Sequence, residues 1–243
     1  LVSFRGGMEA LPRSLAAALG PSLRVATPTL GIERRGGRWV ARTPAGDFEG
    51  ASLVLAAPAL AASTLVRPFA PQAANALAGI PHPPLAVLHL TWPEASLARP
   101  LSGFGHLVVP DPKRRILGAV WSSSLFQGRA PKGSALLTVF LGGARDPGIL
   151  ALSDEDLVGA AARDLEAEGV TRGPPRVLMT TRWERAIPQY EAGHGERIAA
   201  LERAEASHPG LRFLGSYRGG VSVGDVLRSA LTLPASAASA PPA

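Results

Sequence analysis

Apolar runs of strand length and apolar residues at helical spacing take turns along this chain, separated by Gly- and Pro-containing stretches. In FRGGMEALPRSLAAALG (4–20), a Gly-Gly turn leads into Leu11, Leu15, Ala18 and Leu19, and Gly20 stands where a helix C-cap belongs. LRV (23–25) reads as a short strand, and TLGIERRGGRWVAR (29–42) as two strands around a Gly36-Gly37 hairpin turn. LVLAA (53–57) is a continuous apolar run, hence a buried strand; Pro58 ends it, and helices follow over 59–66 and 70–79. PLAVLHLTW (84–92), GHLVV (105–109), RILGAVW (115–121) and SALLTVFL (134–141) lie close together with turn residues between them, which predicts an antiparallel meander. Ser153 precedes three acids, an N-cap signature that starts a helix to Glu168. RVLMTTRW (176–183) is a further strand. GERIAALERAEAS (195–207) is an amphipathic helix with Ile198, Leu201 and Ala204 on one stripe. LRFLG (211–215) is a buried strand, and Gly219-Gly220 then turn the chain into a last helix. LPASAASAPPA (233–243) is a low-complexity tail that should fray. The fold class is α/β with α+β character, carrying a prominent antiparallel sheet.

Composition narrows the chemistry. The 243 residues are 46% hydrophobic and 18% charged, which is globular. There is no Cys, so disulfides, thiol catalysis and Cys-ligated metals are excluded. The net charge of +6 comes from scattered arginines, Lys113 and Lys132 being the only lysines, and it reads as a solvated surface without nucleic acid. No apolar run reaches the roughly 18 residues of a membrane span. The chain opens on Leu1 without a signal-peptide pattern, so it is expected to begin inside something larger.

His82, His89, His106, His194 and His208 lack metal-site spacing and read as surface or packing residues. No G-x-S-x-G elbow is present. Asp154, Glu155 and Asp156 are explained by helix capping. GFGHLV (103–108) starts like a dinucleotide fingerprint but enters a strand where a helix is required. With no nucleophile, metal or acid–base pair, either a cofactor does the chemistry or the chain is not an enzyme.

Four stretches taken together decide further: FRGGMEALPRSLAAALG, GFGHLVVP with RILGAVWSSSLF, LLTVFLGGARDP, and RWERAIPQYEAGH with LGSYRGGVSVGDVLRS. In this order and spacing the chain resembles the C-terminal half of the oxygen-dependent protoporphyrinogen oxidases, flavoenzymes of the amine-oxidase-like superfamily. The resemblance implies segments of a Rossmann-type FAD domain (1–58 and 181–233), a substrate domain with an antiparallel sheet (59–180) and a disordered tail (234–243). It implies oxidation of protoporphyrinogen IX or coproporphyrinogen III, with hydride passing from a ring-bridging carbon to the flavin and O2 as final acceptor. The missing N-terminal half would carry the G-x-G-x-x-G that grips FAD. A cytoplasmic enzyme, peripheral on the inner face of the cell membrane and homodimeric, is expected.

For FAD, the resemblance points to Thr29, Ala57, Trp183, Ile187, Gly215, Val221, Ser222 and Val223, with the helix N-terminus over 223–226 facing the electron-rich side of the ring. The alternative for Trp183 and Ile187 is a plain core position. For the porphyrinogen it points to Phe104, Gly105, Leu107, Val120 and Phe140, with the Gly105 carbonyl offered to pyrrole N–H groups; Val120 and Phe140 could equally be sheet core. Two departures fall on the closing helix: Asp225-Val226-Leu227 stands where D-C-[IV] is usual, and Ala230 where Gly is usual. The rival readings are another flavoenzyme acting on an amine or polyene, for which only Tyr217 stands where an aromatic cage would, and a truncated non-catalytic binding module.

Overall fold

The computed structural model describes residues 2–233. In chain order it holds α1 (Ala10–Leu19), β1 (Gly31–Arg35), β2 (Arg38–Thr43), β3 (Gly46–Gly50), β4 (Leu53–Leu55), α2 (Ala59–Val66) and α3 (Pro71–Ala78). Then come β5 (Leu85–Pro93), β6 (Gly105–Leu107), β7 (Ile116–Val120), α4 (Ser122–Leu125), β8 (Ser134–Gly142), α5 (Asp154–Ala167) and β9 (Arg176–Trp183). The chain closes with α6 (His194–Ser207), β10 (Leu211–Phe213) and α7 (Val223–Leu231). Among the described residues no helix is long and apolar enough to cross a membrane. The expected tail over 234–243 lies outside the described residues.

Most predicted elements are present within a residue or two, and three differences have physical reasons. Residues 23–25 form no strand: they run from the Gly20–Ser22 turn to Pro28 and pair with no strand among the described residues. β3 was not anticipated. Its GDFEG sequence has little β-propensity and is held by register with β2 through the Thr43–Gly46 turn, where the Thr43 hydroxyl donates to the Gly46 carbonyl at 2.7 Å. The meander is real for β6-β7-β8, but β5 inserts between β8 and β9, giving the order β6-β7-β8-β5-β9 with every pair antiparallel.

The chain divides into two compact units, one formed by residues up to Pro81 together with those from Pro188 onward, the other by His82–Ile187. These limits differ from the sequence expectation at both junctions. Residues 59–81 belong with the first unit because Ala59, Ala62, Val66, Ala73, Ala74, Leu77 and Ile80 share its core with Leu201, Leu211 and Phe213. Residues 181–187 belong with the second because β9 runs on to Trp183 against Leu85.

In the first unit β4 and β10 pair in parallel, Leu53 to Leu211 and Leu55 to Phe213. Trp39 of the β1-β2-β3 sheet is buried in the same core, and its indole N–H donates to the Pro209 carbonyl at 3.0 Å. In the second unit the alternation of β5 and β8 sends Ala86, Leu88, Leu90 and Trp92, and Ala135, Leu137, Val139 and Leu141, into one core with α5. Each fully buried leucine there contributes about 1.5–3 kcal/mol. Ser153 caps α5, its hydroxyl accepting from the Asp156 amide at 3.1 Å. Buried Asp164 joins α5 to the start of β7, accepting from the Arg115 and Ile116 amides at 2.7 and 3.0 Å.

Candidate functional site

In the first unit, Ala57 and Gly215 each stand two residues beyond the last parallel pair, Leu55 and Phe213. Both therefore lie past the carboxyl ends of adjacent parallel strands, where open α/β sheets take their ligands. The Leu214 amide still donates to the Leu55 carbonyl at 3.0 Å, so the two chain exits are held together. Beyond Gly215 the chain is tied down on the inner side. Tyr217 is buried, and burial pushes its phenol pKa up. Arg218 donates to Glu205 at 2.6 Å, and the same carboxylate accepts the Phe213 amide at 2.8 Å.

The Gly219-Gly220 turn that follows has φ +78° and +128°. A Cβ on Gly220 would come within 2.5–2.7 Å of the Asp225 carboxylate, so the turn closes onto α7 only with glycine there. α7 begins with a capping box: the Ser222 hydroxyl accepts the Asp225 amide at 3.0 Å, and Asp225 accepts the Ser222 amide at 3.3 Å. Hydrogen bonds from Ser222, and then the nearby Arg228 guanidinium, hold the Asp225 carboxyl below the usual range. The Val223 and Gly224 amides make no hydrogen bond to a described residue. Val221 and Val223 flank them, about half exposed. Two N–H donors without a described partner, next to two exposed apolar side chains, suit the edge of a flat, electron-rich heterocycle.

The two motifs IPQYEAGH and GSYRGGVSVGD, which come from separate parts of the sequence, are physical partners. Tyr190 donates to the Ser216 carbonyl at 2.7 Å and accepts the Gly220 amide at 3.1 Å. His194 stacks on Tyr190 with ring centres 4.1 Å apart, and its Nε2 lies 3.0 Å from the Tyr217 carbonyl. The turn beside Val221–Val223 is thus clamped from both ends by one aromatic pair. Thr29, exposed just before β1, has no hydrogen bond to this cluster among the described residues. Trp183 and Ile187 fall in the other unit; each is 53% exposed, so neither is a core position.

The second unit brings four of the five residues expected at the substrate, Gly105, Leu107, Val120 and Phe140, to one sheet, with Phe104 just before it. In one row across the strands stand Gly105, Val120, Thr138, His89 and Met179; in the next stand Leu107, Gly118, Phe140, Val87 and Thr181. Val120 and Phe140 are half-buried on the face opposite the α5 core, which rules out the sheet-core alternative for both. Leu107 is 89% exposed, and Phe104 leads directly into Gly105. Gly105 and Gly118 hold β6 and β7 unusually close: an added Cβ would meet the Ala119 carbonyl at 2.1 Å or the His106 carbonyl at 2.3 Å. Gly105 is half-buried on this face, whereas Gly118, paired with Phe140, is buried. The Trp121 amide donates to the Phe104 carbonyl at 2.9 Å, so Gly105 and Val120 are a non-hydrogen-bonded pair and the Gly105 carbonyl points out from the edge strand. Among the described residues no cluster of three or more His, Asp or Glu could hold a metal.

Sequence reading passed over the polar line on this face. The Ser122 hydroxyl lies 2.9 Å from the Thr138 hydroxyl, which lies 3.1 Å from His89 Nδ1. The signal was present in LAVLHLTW: His89 stands in the alternation opposite to buried Leu88 and Leu90. Burial of the ring pushes its pKa down, favouring the neutral imidazole.

Comparison with known proteins places the chain. The family model described as flavin containing amine oxidoreductase matches residues 1–233. Protoporphyrinogen oxidase 1, chloroplastic, of Spinacia oleracea is 33% identical over 94% of this chain and 43% of its own length. Coproporphyrinogen III oxidase of Bacillus subtilis (strain 168) is 32% identical over 59% of this chain and 31% of its own. The crystal structure of a presumptive protoporphyrinogen oxidase from Exiguobacterium sp. 255-15 superposes with a TM-score of 0.79 at 28% identity, covering 95% of this chain and 50% of that one. The chain therefore spans less than half the length of such curated relatives.

Proposed function

The chain belongs to the flavin containing amine oxidoreductase family, and on that premise we propose that it supplies the macrocycle-binding face and the flavin-end turn of an FAD-dependent porphyrinogen oxidase. The observation that carries this reading is the open face of the β6-β7-β8-β5-β9 sheet, where Gly105, Leu107, Val120 and Phe140 assemble opposite the core and exposed Phe104 immediately precedes β6. A flat tetrapyrrole needs a broad apolar surface with little relief and a few acceptors for its pyrrole N–H groups. The half-buried backbone at Gly105 supplies the flat part, and Phe140, Val120 and Leu107 the apolar contact. The outward Gly105 carbonyl supplies one acceptor. These residues orient the macrocycle and exclude water from the carbon to be oxidised.

FAD is the cofactor of this family, and when bound it supplies the acceptor for a two-electron oxidation. On this chain, Val221 and Val223 would pack against its ring, and the Val223 and Gly224 amides would donate to its electron-rich edge. Ala57 and Gly215 would admit it past the β4 and β10 ends. Tyr190 and His194 hold that turn in place. Dioxygen is the terminal acceptor in this proposal. An amine substrate is less well served: Tyr217, the aromatic residue that stood for a cage, is buried beneath the turn.

The test uses the native polypeptide carrying this sequence, loaded with FAD. Supplied with protoporphyrinogen IX or coproporphyrinogen III in air, it should form fluorescent porphyrin with release of hydrogen peroxide. Failure with both substrates by a flavin-replete protein overturns the proposal.

A further inference from the structure

The open sheet face carries a polar device as well as an apolar one. Val120, Thr138, His89 and Met179 sit side by side on four neighbouring strands, so His89 is an interior member, fourth of five, of the row that begins at Gly105. Its ring is anchored at Nδ1, 3.1 Å from the Thr138 hydroxyl, which is itself 2.9 Å from the Ser122 hydroxyl. Its Nε2 makes no hydrogen bond to any described residue. On the strand pairs beside it the same face offers Val87, Phe140 and Thr181, with Arg176 the charged residue paired to Thr91. An imidazole bonded at one nitrogen and vacant at the other, amid apolar neighbours, has one polar task left.

Each hydroxyl in the Ser122–Thr138–His89 line can donate or accept, so the line runs in two directions. When Nδ1–H donates to Thr138, which donates to Ser122, Nε2 is an acceptor. When Ser122 donates to Thr138, which donates to Nδ1, Nε2–H is a donor. The heavy atoms need not move between the two. A porphyrinogen presents pyrrole N–H donors only, whereas a porphyrin presents N–H donors and imine-type nitrogen acceptors.

Resting on the porphyrinogen reading above, we infer that His89 Nε2 is the side-chain contact that recognises the macrocycle's inner nitrogens. It accepts from the reduced ring and can turn round to donate to the oxidised one. Thr138 and Ser122 are positioning residues that act through His89.

The experiment is equilibrium titration of the FAD-loaded native polypeptide with protoporphyrin IX, together with the KM for protoporphyrinogen, in the wild type, His89→Phe, His89→Gln and Thr138→Val. Loss of a hydrogen bond to a group then left unpaired should weaken porphyrin binding and raise KM by about tenfold in His89→Phe, with flavin content unchanged. His89→Gln, which keeps a polar donor and acceptor, should recover most of that loss. Thr138→Val should shift both constants in the same direction by a smaller factor. A histidine that is merely an apolar wall makes the opposite prediction, since phenylalanine would bind the macrocycle as well or better. Unchanged or tighter binding in His89→Phe overturns the inference, as does a His89→Gln no better than His89→Phe. If the wild type itself binds no porphyrin and oxidises no porphyrinogen, the failure lies in the functional reading and is seen before any variant is compared.

Discussion

The open face of the sheet and the turn ahead of α7 are built on different principles. The sheet face comes from one continuous stretch, His82–Ile187. Its residues are assigned to the face by strand parity, and its backbone is held by the core on the opposite side. The turn draws on segments far apart in sequence, with β4 beside β10 and Tyr190 and His194 clamping residues 216–220. What it offers a ligand is mostly backbone. Side chains on the sheet face can therefore change without altering the frame, whereas at the turn, on the reading proposed above, the frame itself would meet the ligand. Substitutions on the first should alter substrate binding and spare flavin; those at the second should do the reverse.

The sharpest way to break that contrast is Gly220→Val. It forces a side chain onto a residue at φ +128° and against the Asp225 carboxylate. The purified protein should keep only a small fraction of wild-type flavin, read from its visible absorbance. A fully yellow, active variant would make the turn a mere connector. Next in size is Phe140→Ala, which removes most of an aromatic wall from the open face. Burial of that ring against substrate is worth about 2 kcal/mol, so KM for porphyrinogen should rise tenfold or more with flavin content unchanged. Wild-type KM would sink the assignment of this face. A smaller effect should follow Tyr190→Phe, which loses hydrogen bonds to Ser216 and Gly220 in a half-exposed setting. About 1 kcal/mol is expected, a several-fold rise in the FAD dissociation constant without a change in porphyrin binding. An effect on porphyrin affinity instead would erase the separation between the two regions.

The smallest effect is one of pH. Both ring nitrogens of His106 are enclosed without hydrogen-bond partners among the described residues. Burial pushes its pKa below 6.5; Arg99 adds to this, and Glu168 opposes it. The folded protein therefore binds fewer protons here than the unfolded chain. Its stability from this group is complete above the ordinary imidazole range and is lost as pH falls below 6.5. In urea melts at a series of pH values, His106→Leu should flatten that acid limb. An unchanged limb would place the acid sensitivity elsewhere.

What could be read in the sequence follows the same division. Strands β5, β8 and β9 and helices α2 and α5 were legible because periodicity and capping are local. The Ser153 cap and the buried stripe of Leu201 and Ala204 are examples. Residues 23–25 misled because an apolar tripeptide becomes a strand only when a neighbour accepts it. The positive φ of Gly220 could be anticipated from its place in the turn; the Tyr190–His194 clamp could not, since it depends on which segments meet. His89 was set aside for lack of metal spacing, although strand parity already put it on the face opposite Leu88 and Leu90.

The most direct measurement is anaerobic. The FAD-loaded native polypeptide is mixed separately with protoporphyrinogen IX, coproporphyrinogen III and a primary diamine, and loss of oxidised-flavin absorbance is followed in each. A sheet face built for a flat tetrapyrrole predicts rapid bleaching by at least one porphyrinogen, with porphyrin appearing in step, and no bleaching by the amine. Bleaching by the amine while both porphyrinogens leave the flavin oxidised would contradict it.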